Sequence, residues 1–140
     1  MKNSMKKVTK ILAILVAVVV VTSSCSKSTA RKNIAGTWII DSITQNGVDP
    51  YTSQGATYNG NYTFGECSSS DNEDGLCTGT FALTVFFQGS SSSWDDIFNY
   101  QILDKGEMMA MGGDIMLLDV DDNNMTLSSD DGETVIRMHK

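Results

Sequence analysis

The sequence predicts an all-β domain, an antiparallel barrel or sandwich of about eight short strands. Apolar and polar residues alternate in short runs, and glycine or acidic turns interrupt those runs at regular intervals. Helical periodicity is nearly absent after the first twenty-five residues, and the single proline, Pro50, falls between runs, where it breaks no ladder.

The runs follow in order along the chain. Thr37 to Ile43 is rich in β-formers and leads to the turn dipeptide Asn46-Gly47. From Thr57 to Phe64, Tyr58, Tyr62 and Phe64 share one face, with Thr57, Asn59, Asn61 and Thr63 on the other. Asn59-Gly60 could split this run as a tight turn, but Gly60 holds a place on the aromatic face, which favours one strand. Phe81, Leu83, Val85 and Phe87 alternate with Thr80, Ala82, Thr84 and Phe86. Gln88 to Ser93 reads as a Gly/Ser loop. Phe98, Tyr100 and Ile102 mark the next strand, which stops at Lys105-Gly106. Glu107 to Met111 and Asp114 to Val120 flank Gly112-Gly113. Met125 to Ser128 and Glu133 to His139 flank Asp130-Asp131-Gly132, a hairpin signal.

The beginning of the chain has a different grammar. Lys2, Lys6, Lys7 and Lys10 precede an apolar run from Ile11 to Val21, shorter than the roughly 20 residues that span a bilayer. Small residues Thr22-Ser23-Ser24 then lead to Cys25. This order predicts a lipoprotein signal peptide over residues 1–24, cut before Cys25, whose thiol accepts diacylglycerol. Two chains plus an amide-linked acyl group would anchor stably, where one chain binds only marginally. Residues 25–33, polar and basic through Lys27, Arg31 and Lys32, read as a lipidated, flexible tether. Residues 34–140 are then the β domain. Ser26, where Asp would favour inner-membrane retention, points to an outer-membrane lipoprotein, and the lack of an acidic tract after Cys25 points to its periplasmic face.

From Cys25 onward six basic residues face seventeen acidic ones, a net charge of −11. Such a surface repels phosphate backbones and counts against nucleic-acid binding. Cys67 and Cys77, with nine residues between them, lie in a chain bound for an oxidising compartment and bracket a polar loop. A disulfide closing that loop is the natural reading, and it would contribute about 2–3 kcal/mol. A zinc pair lacks a second Cys/His pair to complete four ligands.

Chemistry finds little to work with. Nucleophilic catalysis wants a base, and the only histidine, His139, sits beside the C-terminus and reads as solvated. Asp95-Asp96, Asp121-Asp122 and Asp130-Asp131 are neighbours whose side chains diverge on a strand, so they read as solvated turns. No catalytic residue and no cofactor are expected. Asp119, Asp121, Asn123 and Asp130 fall at the first, third, fifth and twelfth places of a calcium loop. Asn124 stands where that loop needs glycine, and Met125-Thr126-Leu127 reads as strand, so an acidic β-turn is preferred. Met108, Met109, Met111 and Met116 suggest core filling before cuprous copper.

Gly36-Thr37-Trp38, at the start of the first strand, looks like the Gly-x-Trp signature of lipocalins and related calycin barrels. With the lipidated Cys25, the mid-chain cysteine pair and a closing hairpin, the chain resembles the small lipocalin-like lipoproteins of Gram-negative bacteria. The resemblance implies an up-and-down barrel, with Gly36 allowing a tight start and Trp38 closing one end. It also implies a basic residue across the indole, for which Arg137 fits on the last strand.

Two functions follow from such a barrel. One is a binding module in which Trp38, Tyr58, Tyr62, Phe64, Phe98 and Tyr100 line a site for a small hydrophobic ligand, inside or at the mouth. The other is a structural or protein-interaction lipoprotein in which the same rings fill the core. The two differ in whether small residues such as Gly60, Ala82 and Ala110 gather inside and leave a cavity.

Overall fold

The computed structural model describes residues 27–140, so the signal segment and Cys25 lie outside the described residues. Eight strands form in order: β1 (Gly36–Gln45), β2 (Thr57–Phe64), β3 (Cys77–Phe87), β4 (Ser90–Leu103), β5 (Met108–Met111), β6 (Asp114–Val120), β7 (Asn124–Ser129) and β8 (Thr134–His139). Each is antiparallel to the next, and β8 returns to pair with β1, which closes an up-and-down barrel. Closure decides between barrel and sandwich, and β2 runs unbroken through Asn59-Gly60.

Alternation along each strand sorts side chains between core and solvent. Ile136 and Met138 of β8 are buried while Arg137 and His139 are exposed. On β6, Met116 and Leu118 are buried while Ile115, Leu117 and Asp119 are exposed. Met109 faces Met116 across the β5–β6 pair inside the barrel, so these methionines are core filling, as alternation requires.

Two stretches depart from the sequence reading. Gln88 to Ser93 is not a loop: Gln88 and Gly89 alone make the turn, with φ of 50° and 80°, and Ser90 already pairs with Phe87. Paired positive φ values suit the right-handed twist of a hairpin, so four serines are carried into strand by β3 rather than by their own propensity. Residues 27–34 are not a flexible tether but a helix, α1, with Ala30 and Ile34 buried in the core cluster. These two residues are four apart and share one helical face, which gives a short apolar stripe among polar neighbours.

The loop between Cys67 and Cys77 holds a second short helix, α2 (Ser69–Asp74). The Ser68 side chain accepts from the Asp71 amide at its start, and Leu76 N–H bonds back to the Asp71 carbonyl at its end. The Cys67–Cys77 disulfide is formed and ties this loop to the base of β3.

Candidate functional site

The barrel has one sealed end and one open end. α1 lies at the sealed end, where the Trp38 indole N–H donates to the Ile34 carbonyl at 2.7 Å. The cation over this indole is Lys140, 4.6 Å from the ring centroid, and it also donates to the Asn33 carbonyl at 2.9 Å. Arg137 does not make the expected contact. It pairs with Ser42 and faces outward, because Ile136 and Met138 take the inward positions. Gly36 opens β1 with φ of 113°, a region that favours glycine, so the tight start stands. α2 completes the seal. Its Asn72, 2 % exposed, donates from Nδ2 to the Ile102 carbonyl and accepts the Ile102 N–H at Oδ1.

The interior above this end is filled by the rings expected to line a ligand site. Phe64 meets Tyr100 edge-on at 5.3 Å and Phe98 at 5.7 Å, and Tyr62 lies 4.8 Å from Phe81. The Tyr100 hydroxyl donates to the Gly65 carbonyl at 2.6 Å. Burial pushes the Tyr62 and Tyr100 phenols up to about 12, so both stay neutral. Gly60 does face inward, but Ile40 and Leu83 occupy its space. Ala82 and Ala110 pair with Asn61 and Gln101 on the outer face. Among the described residues, Gly60, Ala82 and Ala110 therefore share no open space inside the barrel.

Space exists at the other end. A cavity of about 450 Å³ opens there, lined by Ile43 and Gln45 of β1, Val85 and Phe87 of β3, Thr134 of β8, and Pro50, Tyr51, Gln54 and Ala56 of the β1–β2 loop. A larger cleft of about 670 Å³, lined mainly by polar and charged residues, lies outside the barrel between α1 and the disulfide loop.

One carboxylate shapes the loop that walls the mouth. Asp49 accepts from the Tyr51 and Thr52 amides through Oδ1 and from the Tyr58 hydroxyl through Oδ2, at 2.9, 3.0 and 2.7 Å. The Tyr58 hydroxyl in turn accepts from the Ile43 N–H at 2.9 Å. β1 and β2 pair only as far as Ile39 and Asn61, so this hydroxyl stands in for the missing strand partner. Tyr58 is thus a strut of the mouth rather than part of its lining. Desolvation raises the Asp49 carboxyl, but hydrogen bonds from Thr52, Tyr58 and Tyr51 outweigh it and leave the group below its ordinary value. Desolvation and the bond to Asp49 push the Tyr58 phenol up to about 12.

No family model matches the chain. No curated protein matches it. Among solved structures it is similar to a Streptococcus pneumoniae protein described as a "putative lipoprotein", at 14% identity and a TM-score of 0.39, over 75% of this chain and 90% of that one.

The weak calcium set does not converge. Asp119 lies near the end of β6 and Asp121 and Asn123 in the turn before β7, whereas Asp130 sits beyond the far end of β7. Asp121 Oδ1 already accepts from the Asn123 and Asn124 amides, which hold its carboxyl below the ordinary value. Among the described residues no group of three metal-ligating side chains forms. His139 is exposed as read, yet it pairs with Asp41 at 2.5 Å on the outer wall.

Val85 and Phe87 were legible as lining, since they continue the face of Phe81 and Leu83. Tyr51 and Ala56 lie in a loop without periodicity, and Asn72 and Lys140 act across 30 and 107 residues of sequence. Nothing local marks them.

Proposed function

We propose that this chain is a membrane-anchored, non-catalytic barrel lipoprotein that takes one small, largely apolar molecule at the open mouth of the barrel. The reading is supported chiefly by one contrast: the interior is packed with rings, whereas the mouth keeps about 450 Å³ lined by Ile43, Pro50, Tyr51, Ala56, Val85 and Phe87. Ligand sites of a few hundred Å³ or more, mainly apolar with a few polar groups, are the usual form of small-molecule pockets. Gln45, Gln54 and Thr134 supply the polar groups here. The anchor is the lipid on Cys25, inferred from the signal-like N-terminus, and the outer membrane is the membrane in question.

Native mass spectrometry of the protein released from its own membranes tests the ligand. A discrete adduct, lost in Ala56→Phe and kept in Phe98→Leu, supports the mouth as the site. An adduct lost only in the Phe98 variant moves the site inside. A clean chain mass in every form leaves the structural or protein-interaction reading in its place.

A further inference from the structure

β4 leaves the barrel wall unpaired along most of one side. It pairs with β3 from Tyr100 opposite Cys77 to Ser90 opposite Phe87, but with β5 only from Tyr100 to Leu103. One more bond, from the Gly112 amide to the Asn99 carbonyl at 3.2 Å, extends the β5 side. Residues 90–98 therefore have no strand on that side among the described residues. Antiparallel alternation gives the outward N–H and C=O groups to residues in step with Asn99: Ile97, Asp95, Ser93 and Ser91. The Ile97 N–H points that way and is held by the Asp96 carboxylate at 2.8 Å. Two large apolar side chains flank the pair of acids, Trp94 at 52 % exposed and Ile97 at 71 %.

We propose that this edge of β4, residues 91–97, receives an extended segment of a partner protein as an added strand, with side chains in the order apolar–basic–basic–apolar opposite Trp94, Asp95, Asp96 and Ile97. An unpaired edge of this length is a template for strand addition, where main-chain bonds hold the segment and alternate side chains select it. Trp94 and Asp96 lie on the barrel side of the strand, in register with Leu83 and Phe81, while Asp95 and Ile97 lie outside. Each face of the edge thus offers one apolar side chain and one carboxylate. The preferred order reads the same in both directions, so parallel and antiparallel segments both fit. A second copy of this chain does not fit, since antiparallel self-pairing centred on this stretch sets Asp95 against Asp95 or Asp96 against Asp96, between chains whose net charge from Cys25 onward is −11. Asp96 acts as a latch: it covers the Ile97 N–H until a basic side chain draws the carboxylate away. This inference does not depend on the ligand at the mouth.

The test titrates the full-length chain in detergent with a capped synthetic peptide centred on Val-Lys-Arg-Val, and with a Val-Glu-Glu-Val control, while amide hydrogen exchange is followed. The basic peptide should slow exchange about tenfold or more at Ser91, Ser93, Asp95 and Ile97 and shift Trp94 emission to the blue; the acidic one should do neither. Ile97→Pro removes one outward N–H and none that bonds β3, so it should abolish that protection without changing the melting temperature. The Asp95→Lys, Asp96→Lys double variant should reverse the preference between peptides. Salt-sensitive association without protection of those four amides would overturn strand addition in favour of plain charge attraction. Protection of the same amides without peptide, in a species of twice the mass, would make the occupant a second copy and overturn the proposal.

Discussion

Gly79 and Phe98 face each other across β3 and β4 inside the barrel, and the pair accounts for how five aromatic rings fit at this level. A Cβ on Gly79 would fall 2.7 Å from Phe98 Cε2, well inside contact distance, and 3.0 Å from the Thr63 carbonyl oxygen. Gly79→Ala should therefore destabilise by about 1–3 kcal/mol, with Phe98→Leu in the same chain recovering part of the loss. Chemical denaturation of the single and double variants checks this, and strictly additive losses would mean that the two do not compete for space. Asp49 makes a second residue-scale case, this time in pH. Its folded carboxyl lies below the ordinary 3.8, so its three hydrogen bonds contribute stability above that value and lose it as pH falls through the depressed one. The melting-temperature gap between wild type and Asp49→Asn should narrow as the medium is acidified below about pH 4. A gap that is constant with pH would show that the charged state of Asp49 is irrelevant to the loop.

At the scale of elements, α2 works as a substitute strand. β3 begins at Cys77, opposite Tyr100, so Ile102 has no partner on that side, and the Asn72 amide offers it one donor and one acceptor as a peptide group would. Asn72→Leu should leave both Ile102 groups unpaired in a buried site and cost about 2–4 kcal/mol. Asn72→Asp keeps the acceptor, loses the donor and buries a charge, so it should not rescue. Thermal unfolding of the two variants separates this role from simple packing, which Leu would preserve. The contrast also explains what could be read in advance. Period-two alternation is a local signal, and β2, β3 and β6 announce their inward faces residue by residue. The disulfide was legible because, with an N-terminus that reads as an export signal, Cys67 and Cys77 have only each other as partners. α2 has no apolar stripe of its own, α1 has two apolar residues on its inner face, and Ser90–Ser93 are strand only because β3 lies beside them. Lys140 took the place assigned to Arg137 because strand phase, not charge, decides which side of the wall a residue occupies.

For the whole molecule, the two ends of the barrel differ in a way that fixes how it would stand on a membrane. α1 covers the sealed end, and Cys25 precedes its first described residue by two positions, at most about 7 Å of extended chain. On the proposed reading, a lipid on Cys25 would hold the sealed end against the membrane and turn the mouth toward water. The acidic surface adds to this, since from Ile34 onward only Lys105, Arg137 and Lys140 are basic, and anionic lipid repels the rest. A ligand at the mouth would then arrive through the aqueous phase rather than along the bilayer. The lipidated chain in vesicles, carrying a fluorophore at Asn123 near the sealed end or at Phe87 in the mouth, tests the orientation. Quenchers fixed in the acyl chains should dim the probe at Asn123 strongly and the one at Phe87 hardly at all, and iodide in solution should give the reverse order. Equal quenching at the two sites would mean that α1 lets the barrel lie on its side, with the mouth open to the bilayer surface. The same pair of probes in a chain with six flexible residues inserted after Ser26 should lose most of the difference, because the short link contributes more to the orientation than the acidic surface does.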